Sequence, residues 1–323
     1  MKSSAIQVTV SRIASLTPVI KEFTLTPTGS PTGTPTGTTL PGFSPGSHIQ
    51  IELPTPTRTL KNAYSLLSDP ADLSCYRIAV RLQEGSRGGS RYLHEAVKVG
   101  DTLHIAPPAN LFAPSSMAQH HILIAGGIGI TPFMAYLAEM QRQGISHELH
   151  YAYTGGLTHA YVEPLLQAKN GQVTTYDSTR GERLDIEQIL SGQPLGAQVY
   201  ICGPERLLQA VQQTAHALGW SEGRVHWEAF AAPEPGQPFH IYLAKQDKTL
   251  AVSADESLLE ALEAAQIEHP NLCRGGVCGQ CAAPYLSGQV EHRDSYLPSS
   301  DQSHLLMPCV SRGACDSTLV LDL

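Results

Sequence analysis

Four of the seven cysteines constrain this 323-residue chain more than any other feature. Cys273, Cys278 and Cys281 are spaced Cys-x4-Cys-x2-Cys, and Cys309 follows after 27 further residues. That spacing suits a [2Fe–2S] cluster, which needs two thiolates for each iron: a tight loop supplies three and a distant segment returns the fourth. Gly275, Gly276 and Gly279 let such a loop wrap closely and aim backbone N–H groups at sulfur. Zinc is the competing reading, but zinc sites more often pair two Cys-x2-Cys units, and Cys309 has only Cys315 near it. An odd cysteine count with four clustered points to a metal centre in a reducing compartment, not to a disulfide framework. Cys75 and Cys315 are read as small apolar residues.

The rest of the chain separates by pattern, and the expected architecture is multidomain. Residues 1–114 carry short alternating runs between Gly and Pro punctuation. Tyr76, Ile78, Val80 and Leu82 alternate with Arg77, Ala79, Arg81 and Gln83. This is the signature of half-buried strands and predicts an antiparallel β-barrel. Within it, residues 26–38 repeat Pro-Thr-Gly three times and read as a mobile loop. Residues 115–230 alternate apolar strands with helices, which predicts an α/β domain on a parallel sheet. There His121–Ala125 is a strand, Thr131 caps a helix with Pro132 at its first position, and Gly144 ends it. A second helix after Gly203-Pro204 carries Leu207, Val211, Ala215 and Leu218 as its stripe, and Gly219 stops it. Residues 231–237 form a proline-rich, stiff linker. Residues 238–323 are a small third domain that gains from a metal staple, with Ser253 and Glu256 as the capping box of its helix.

Charge and hydropathy exclude other classes. The net charge of −8 lacks the basic face a nucleic acid requires, and no polybasic segment addresses an anionic membrane. No run approaches the length of a membrane span, and no secretory h-region follows Met1. The expectation is a cytoplasmic protein.

Two glycine-rich turns suggest a nucleotide site. Ala125-Gly126-Gly127-Ile128-Gly129-Ile130-Thr131-Pro132 follows a strand and opens a helix, where freed N–H groups and the positive helix end suit a phosphate. It is not the G-x-G-x-x-G fingerprint, since Pro132 stands where the third glycine belongs. Cys202-Gly203-Pro204-Glu205 is a second strand-to-helix turn. The turn after Tyr151-Ala152-Tyr153 reads Thr154-Gly155-Gly156 with no cation for a 2′-phosphate, which favours NADH over NADPH. Arg180 is the residue that could reverse this. Arg87-Gly88-Gly89-Ser90-Arg91 offers N–H groups, a hydroxyl and guanidiniums to a phosphate monoester.

In this order the motifs resemble a known family. Residues 238–323, with Leu-Cys-Arg-Gly-Gly-Val-Cys-Gly-Gln-Cys and Met-Pro-Cys-Val-Ser-Arg, resemble a plant-type ferredoxin, which implies a β-grasp fold. The paired glycine turns resemble the nucleotide domain of the ferredoxin–NADP reductase superfamily. That resemblance implies Gly127, Gly129 and Thr131 at the pyrophosphate, Cys202, Gly203 and Pro204 at the nicotinamide, and Glu228 and Phe230 closing over a flavin. Asn62-Ala63-Tyr64-Ser65-Leu66 resembles the superfamily's R-x-Y-S flavin motif. It implies Tyr64 against the isoalloxazine and Ser65 at the reactive N5 edge. Asn62 stands where arginine is usual, with Lys61 one place earlier as an alternative phosphate ligand. Val80 and Arg81 are further flavin contacts on the same resemblance.

Over essentially the whole chain the order is similar to the phthalate dioxygenase reductase family. This implies FMN rather than FAD, NADH, a [2Fe–2S] cluster and a Rieske-type oxygenase as partner, with Ser65, Cys202 and Glu228 as the catalytic residues. A plant-type cluster near about −400 mV favours electron transfer to a Rieske centre at about −150 mV by roughly four decades. Two other functions remain open: a reductase for a cytochrome P450, a diiron oxygenase or a ferric complex, and a non-catalytic redox sensor.

Overall fold

In the computed structural model, the alternating run at residues 76–81 is a strand that turns Tyr76, Ile78 and Val80 into a closed core. The structure describes residues 5–29, 39–55, 58–85, 87–168, 172–230, 235–315 and 318–323. Of the expected mobile loop, residues 30–38 lie outside the described residues, as do residues 231–234 of the linker.

The first sheet contains β1 (Ile6–Thr17), β2 (Ile20–Pro27), β3 (Ser47–Pro54), β4 (Thr59–Ser65), β5 (Tyr76–Arg81), β6 (Thr102–Ile105) and β7 (Ala109–Asn110). Its order is β4-β3-β6-β1-β2-β5, with β7 on β3, and its pairings are antiparallel. The inner residues Val8, Val10, Phe23, Ile49 and Ile51 are fully buried in one core. A short helix, α1 (Gly89–Glu95), contributes Leu93 to it.

The second sheet is parallel, as the strand–helix alternation requires. It runs through β8 (His120–Gly126), α2 (Thr131–Gln143), β9 (His147–Tyr153), α3 (Val162–Gln167), β10 (Gln172–Asp177), α4 (Ile186–Leu190), β11 (Ala197–Gly203), α5 (Glu205–Ala217) and β12 (Val225–Ala229). The strand order is β10-β9-β8-β11-β12. Both faces are covered, so β8 is a continuous apolar run and not an alternating one. Leu123 and Ala125 enter one core, Ile122 and Ile124 the other.

The first two sheets belong to one compact unit, Met1–Phe230, and the remainder forms a second, Ala231–Leu323. In the second unit, β13 (Phe239–Leu243) and β16 (Thr318–Leu321) pair in parallel at the centre. They are flanked antiparallel by β14 (Lys248–Val252) and β15 (Ala283–Ser287). Helix α6 (Leu258–Ala264) packs Leu258 and Leu262 on Phe239, Ile241 and Leu319. This mixed sheet under one helix has the arrangement the β-grasp expectation requires.

Local details differ from the sequence expectation. The capping box uses Ser257 and Glu260, not Ser253 and Glu256. Both pairs fit the S-x-x-E pattern, but only Ser257 directly precedes the apolar run that gives a helix its packing. Helix α2 starts one residue early, with Ile130 as its N-cap, and the Thr131 hydroxyl donates to the Ile128 carbonyl (3.0 Å). Gly144 ends it with φ 68°. Leu218, expected on the buried stripe of α5, is its exposed C-cap, and Leu208 takes the inner position. Cys315, read as a small apolar residue, is exposed.

Candidate functional site

The glycine turns meet at the point where the parallel sheet reverses its strand order, between β8 and β11. Crevices at such switch points are where open α/β sheets take ligands. The two turns press together backbone to backbone. A Cβ on Gly129 would stand 2.2 Å from the Cys202 carbonyl oxygen, and one on Gly203 would stand 3.0 Å from the Gly126 Cα. Gly127 has φ 56°, a conformation other residues seldom adopt. Glycine at these positions brings backbone N–H groups to the start of α2, a cradle that a pyrophosphate fits. Pro204 is the N-cap of α5.

A row of side chains crosses the carboxyl ends of the strands. Cys202 of β11 is in register with Ala125 of β8 and with Glu228 of β12. Residues opposite one another in a parallel sheet share a face, so Cys202 and Glu228 point the same way. From the first sheet, the Ser65 hydroxyl at the end of β4 donates to Glu228 Oε2 at 3.5 Å. Three expected catalytic residues therefore come together from two sheets. Burial pushes the Glu228 carboxyl up to about 8, opposed by the Ser65 hydrogen bond. Burial, with the Glu228 charge beside it, pushes the fully buried Cys202 thiol well up, so it stays a neutral thiol.

Tyr64 is half-buried, and burial pushes its phenol up to about 12. Asn62 donates to the Tyr64 hydroxyl at 3.2 Å and also lies against Gly89, where a Cβ would meet its amide at 2.3 Å. Gly88 precedes α1 with φ 111°, and Ser90 accepts from the Gln83 N–H at 3.4 Å. Lys61 is the strand neighbour of Asn62 and faces Glu52 (3.9 Å). Val80 packs into the barrel core, and its carbonyl bonds the His94 ring at 2.8 Å. Arg81 and Phe230 are exposed, and Arg87 is half-buried. A half-buried aromatic beside a hydroxyl–carboxyl pair, with a glycine-led helix start next to Asn62, fits a flavin mononucleotide's ring and phosphate.

In the second unit the four thiols form pairs. The Cys281 and Cys309 sulfurs are 3.2 Å apart and buried. Cys273 bonds Cys278, and that bond lowers its thiol, with the Gly275 N–H also donating to its sulfur (3.4 Å). Among the described residues no group of three or more His, Cys, Asp or Glu is placed to hold a single metal ion. Two thiol pairs match the demand of a two-iron cluster for two thiolates on each iron.

The loop's supports were not apparent from sequence. Arg274 (φ 55°) is buried and clamps the loop to α6 through two bonds to Glu263 (2.9 and 2.8 Å). Asp294 accepts from the Leu297 N–H at 2.8 Å, and a Cβ on Gly276 would stand 2.7 Å from the Val310 side chain and 3.2 Å from Asp294. Tyr296 covers Gly279 so closely that a Cβ there would be 2.2 Å from its ring.

An antiparallel flavin-type sheet, a parallel nucleotide sheet with its glycine cradle and a four-thiol β-grasp module together define an electron-transfer oxidoreductase of the flavin and iron–sulfur class. Comparison with known proteins agrees. Residues 103–225 match the family described as dimethylamine monooxygenase subunit DmmA-like, N-terminal domain, and residues 241–313 match the 2Fe-2S iron-sulfur cluster binding domain. The chain is 56% identical to the heme-dependent oxidative N-demethylase beta subunit of Ectopseudomonas mendocina, over 99% of this chain and 100% of that one. It is 42% identical to the carnitine monooxygenase reductase subunit of Escherichia coli, over 98% of each chain. The solved structure of phthalate dioxygenase reductase superposes with a TM-score of 0.86 at 28% identity, over 99% of this chain and 98% of that one. The chain belongs to the phthalate dioxygenase reductase-like family, whose members are reductase subunits of multicomponent oxygenases. Among the described residues no helix is long and apolar enough to cross a membrane.

Proposed function

We propose that this chain takes electrons from NADH and delivers them singly to an oxygenase component that oxidises an N-methyl amine. The observation that carries the electron-transfer reading is the Ser65–Glu228 contact, in register with Cys202, at the switch point of the nucleotide sheet. When bound, FMN supplies a hydride acceptor at N5 and the [2Fe–2S] cluster, on Cys273, Cys278, Cys281 and Cys309, supplies a one-electron carrier. The residues do the positioning. Tyr64 offers a ring face, and the Ser65 hydroxyl can bond the N5 edge. Gly127 and Gly129 admit the pyrophosphate, and neutral Cys202 presents an uncharged wall to the nicotinamide. Asn62, beside Gly89, is better placed than Lys61 for the flavin phosphate.

NADH as donor is supported by the surroundings of Gly155. Asp177 accepts from the Gly155 N–H at 3.0 Å, and Arg180, the cation that could serve a 2′-phosphate, faces that carboxylate at 3.7 Å. A carboxylate at this turn repels a phosphate.

Glu228 makes the reaction pH-dependent. Its folded value lies above the ordinary 4.5, so the folded chain holds a proton there that the unfolded chain loses. The stability this brings is complete below pH 4.5 and is lost as pH rises through about 8. Ionisation also puts a negative charge beside the site where hydride arrival builds one. NADH reduction of the flavin is expected to slow by about an order of magnitude as pH rises through this range. In Glu228→Gln the rate should stay flat. A parent profile as flat as the variant's, in stopped flow, would remove Glu228 from the hydride step.

For the acceptor, a Rieske-type oxygenase is the expectation from family resemblance. The 56% identity to a subunit named for a heme-dependent N-demethylase favours a haem oxygenase. Reconstitution distinguishes them: NADH oxidation coupled to formaldehyde release from an N-methyl amine with the haem component supports the first choice. Coupling only with a Rieske component moves the reading to the second. Coupling with neither overturns the oxygenase assignment.

A further inference from the structure

Glu22 is a carboxylate buried where the flavin barrel meets the nucleotide sheet, and the chemistry described so far does not use it. It lies in β2 with only 6% of its surface exposed. Arg77 of β5 donates to it twice, from Nε to Oε1 at 3.1 Å and from Nη2 to Oε2 at 2.7 Å. The third donor comes from the nucleotide domain, from the segment between β9 and α3: the Tyr161 hydroxyl donates to Oε2 at 2.7 Å. Around the carboxylate, Ile20, Leu67 and Ala79 of the barrel pack on Ala160, with Ile128 and Met134 alongside.

Tyr161 is held in an unusual backbone state. Its φ is 66°, a region sparsely populated by residues other than glycine. The Tyr151 hydroxyl braces the loop before it, donating to the carbonyls of Thr158 (2.8 Å) and Ala160 (3.1 Å). The same loop touches the glycine cradle, because a Cβ on Gly127 would contact the Thr158 side chain at 3.6 Å. Ile128, within the cradle, packs in the cluster around Tyr161. The loop that places the Tyr161 hydroxyl thus packs against the turn that would hold the pyrophosphate of the nicotinamide nucleotide.

We propose that Tyr161, Glu22 and Arg77 form a positioning latch that holds the nucleotide sheet against the flavin barrel at the separation hydride transfer requires. The inference rests on the flavin and NADH reading above. Ser65 comes from the barrel, Cys202 and Glu228 from the nucleotide sheet, so any rotation between the two alters the reacting geometry. A buried carboxylate that accepts from three donors, two in the barrel and one across the junction, resists such rotation by direction as well as distance. An ion pair that also crosses this junction, Arg142 with Asp69 at 2.7 Å, is exposed on both sides, and exposed pairs contribute little.

Tyr161→Phe keeps the ring in the apolar cluster and deletes only the donor. The expected result in stopped flow is flavin reduction about tenfold slower at saturating NADH, short of the roughly hundredfold cost of a 1 Å misplacement. NADH affinity should change far less than rate. The long-wavelength charge-transfer absorbance of the reduced flavin with NAD+ should weaken, while flavin content and cluster absorbance stay parental. Glu22→Gln, which keeps an acceptor for Tyr161 but removes the charge held by Arg77, should also be slow. Arg142→Ala should match the parent.

Amide hydrogen exchange gives a readout independent of turnover. Residues 20–23 and 158–162 should exchange faster in Tyr161→Phe than in the parent. Parental exchange with a parental reduction rate overturns the latch. Faster exchange with a parental rate and charge-transfer band overturns it equally, since the contact would then be structural only. Failure of NADH to reduce the parent protein itself counts against the functional reading, and is seen before any variant is compared.

Discussion

Cys278→Ser is expected to abolish electron delivery to a one-electron protein acceptor while leaving NADH-dependent ferricyanide reduction largely intact. A serine hydroxyl is a harder and more basic ligand than a thiolate, so one iron loses half of its protein ligands. Delivery to the oxygenase component should fall on the order of a hundredfold or more. The first unit should be unaffected, because it has its own apolar cores around Val8, Leu123 and Ile124. The second unit should lose thermal stability, as small domains that fold around a metal do. Iron content, the visible spectrum and the two activities measured on one preparation decide the matter. Equal loss of both activities would mean that the cluster chiefly supports the fold.

Gly129→Ala should damage the nucleotide site from within. The added methyl would sit 2.2 Å from the Cys202 carbonyl oxygen and 2.7 Å from the Gly203 nitrogen, both backbone atoms. No side chain can rotate away to relieve such a clash, so the two turns at the switch point must part. Overpacking of this kind costs about 1–3 kcal/mol, which for a unit of this size lowers Tm by roughly 2–12 °C. NADH binding should weaken and flavin reduction slow by at least about tenfold, since the cradle and Cys202 move together. Gly223→Ala is the matched control, with nothing within 4 Å of its added carbon. Melting curves and NADH titrations of both variants test this, and a Gly129→Ala protein as stable and as tightly binding as the control would refute the packed-turn account.

Short-range patterns carried most of the architecture. The cysteine spacing needs only a tight loop and a returning segment. The unbroken apolar run at Ile122–Ala125, within the expected strand His121–Ala125, suits a strand covered on both faces. Competing local solutions were harder to separate. Ser253 and Ser257 both start an S-x-x-E pattern, and burial of Leu258 decides between them. Thr131 was a sound N-cap by residue type, yet a 3-10 turn over Gly127–Ile130 leads into the helix and moves the cap to Ile130. Least visible were contacts between distant segments. Glu22 and Tyr161 are 139 residues apart, and the polar residue in β2 looks like an outward-facing position until the segment carrying Tyr161 covers it. Arg274 reads as one more cation in a cysteine loop, and only its left-handed backbone and its bonds to Glu263 reveal a clamp.

The central claim is that electrons pass within one chain from NADH, by way of the Ser65–Cys202–Glu228 site, to the four-thiol module. Anaerobic mixing of the loaded protein with NADH, followed by diode-array stopped flow, tests it directly. Flavin absorbance should fall first, and cluster absorbance should follow at a rate independent of protein concentration, with the second phase missing in Cys278→Ser. Cluster absorbance that stays unchanged after the flavin has bleached, or that falls only in proportion to protein concentration, would contradict the account.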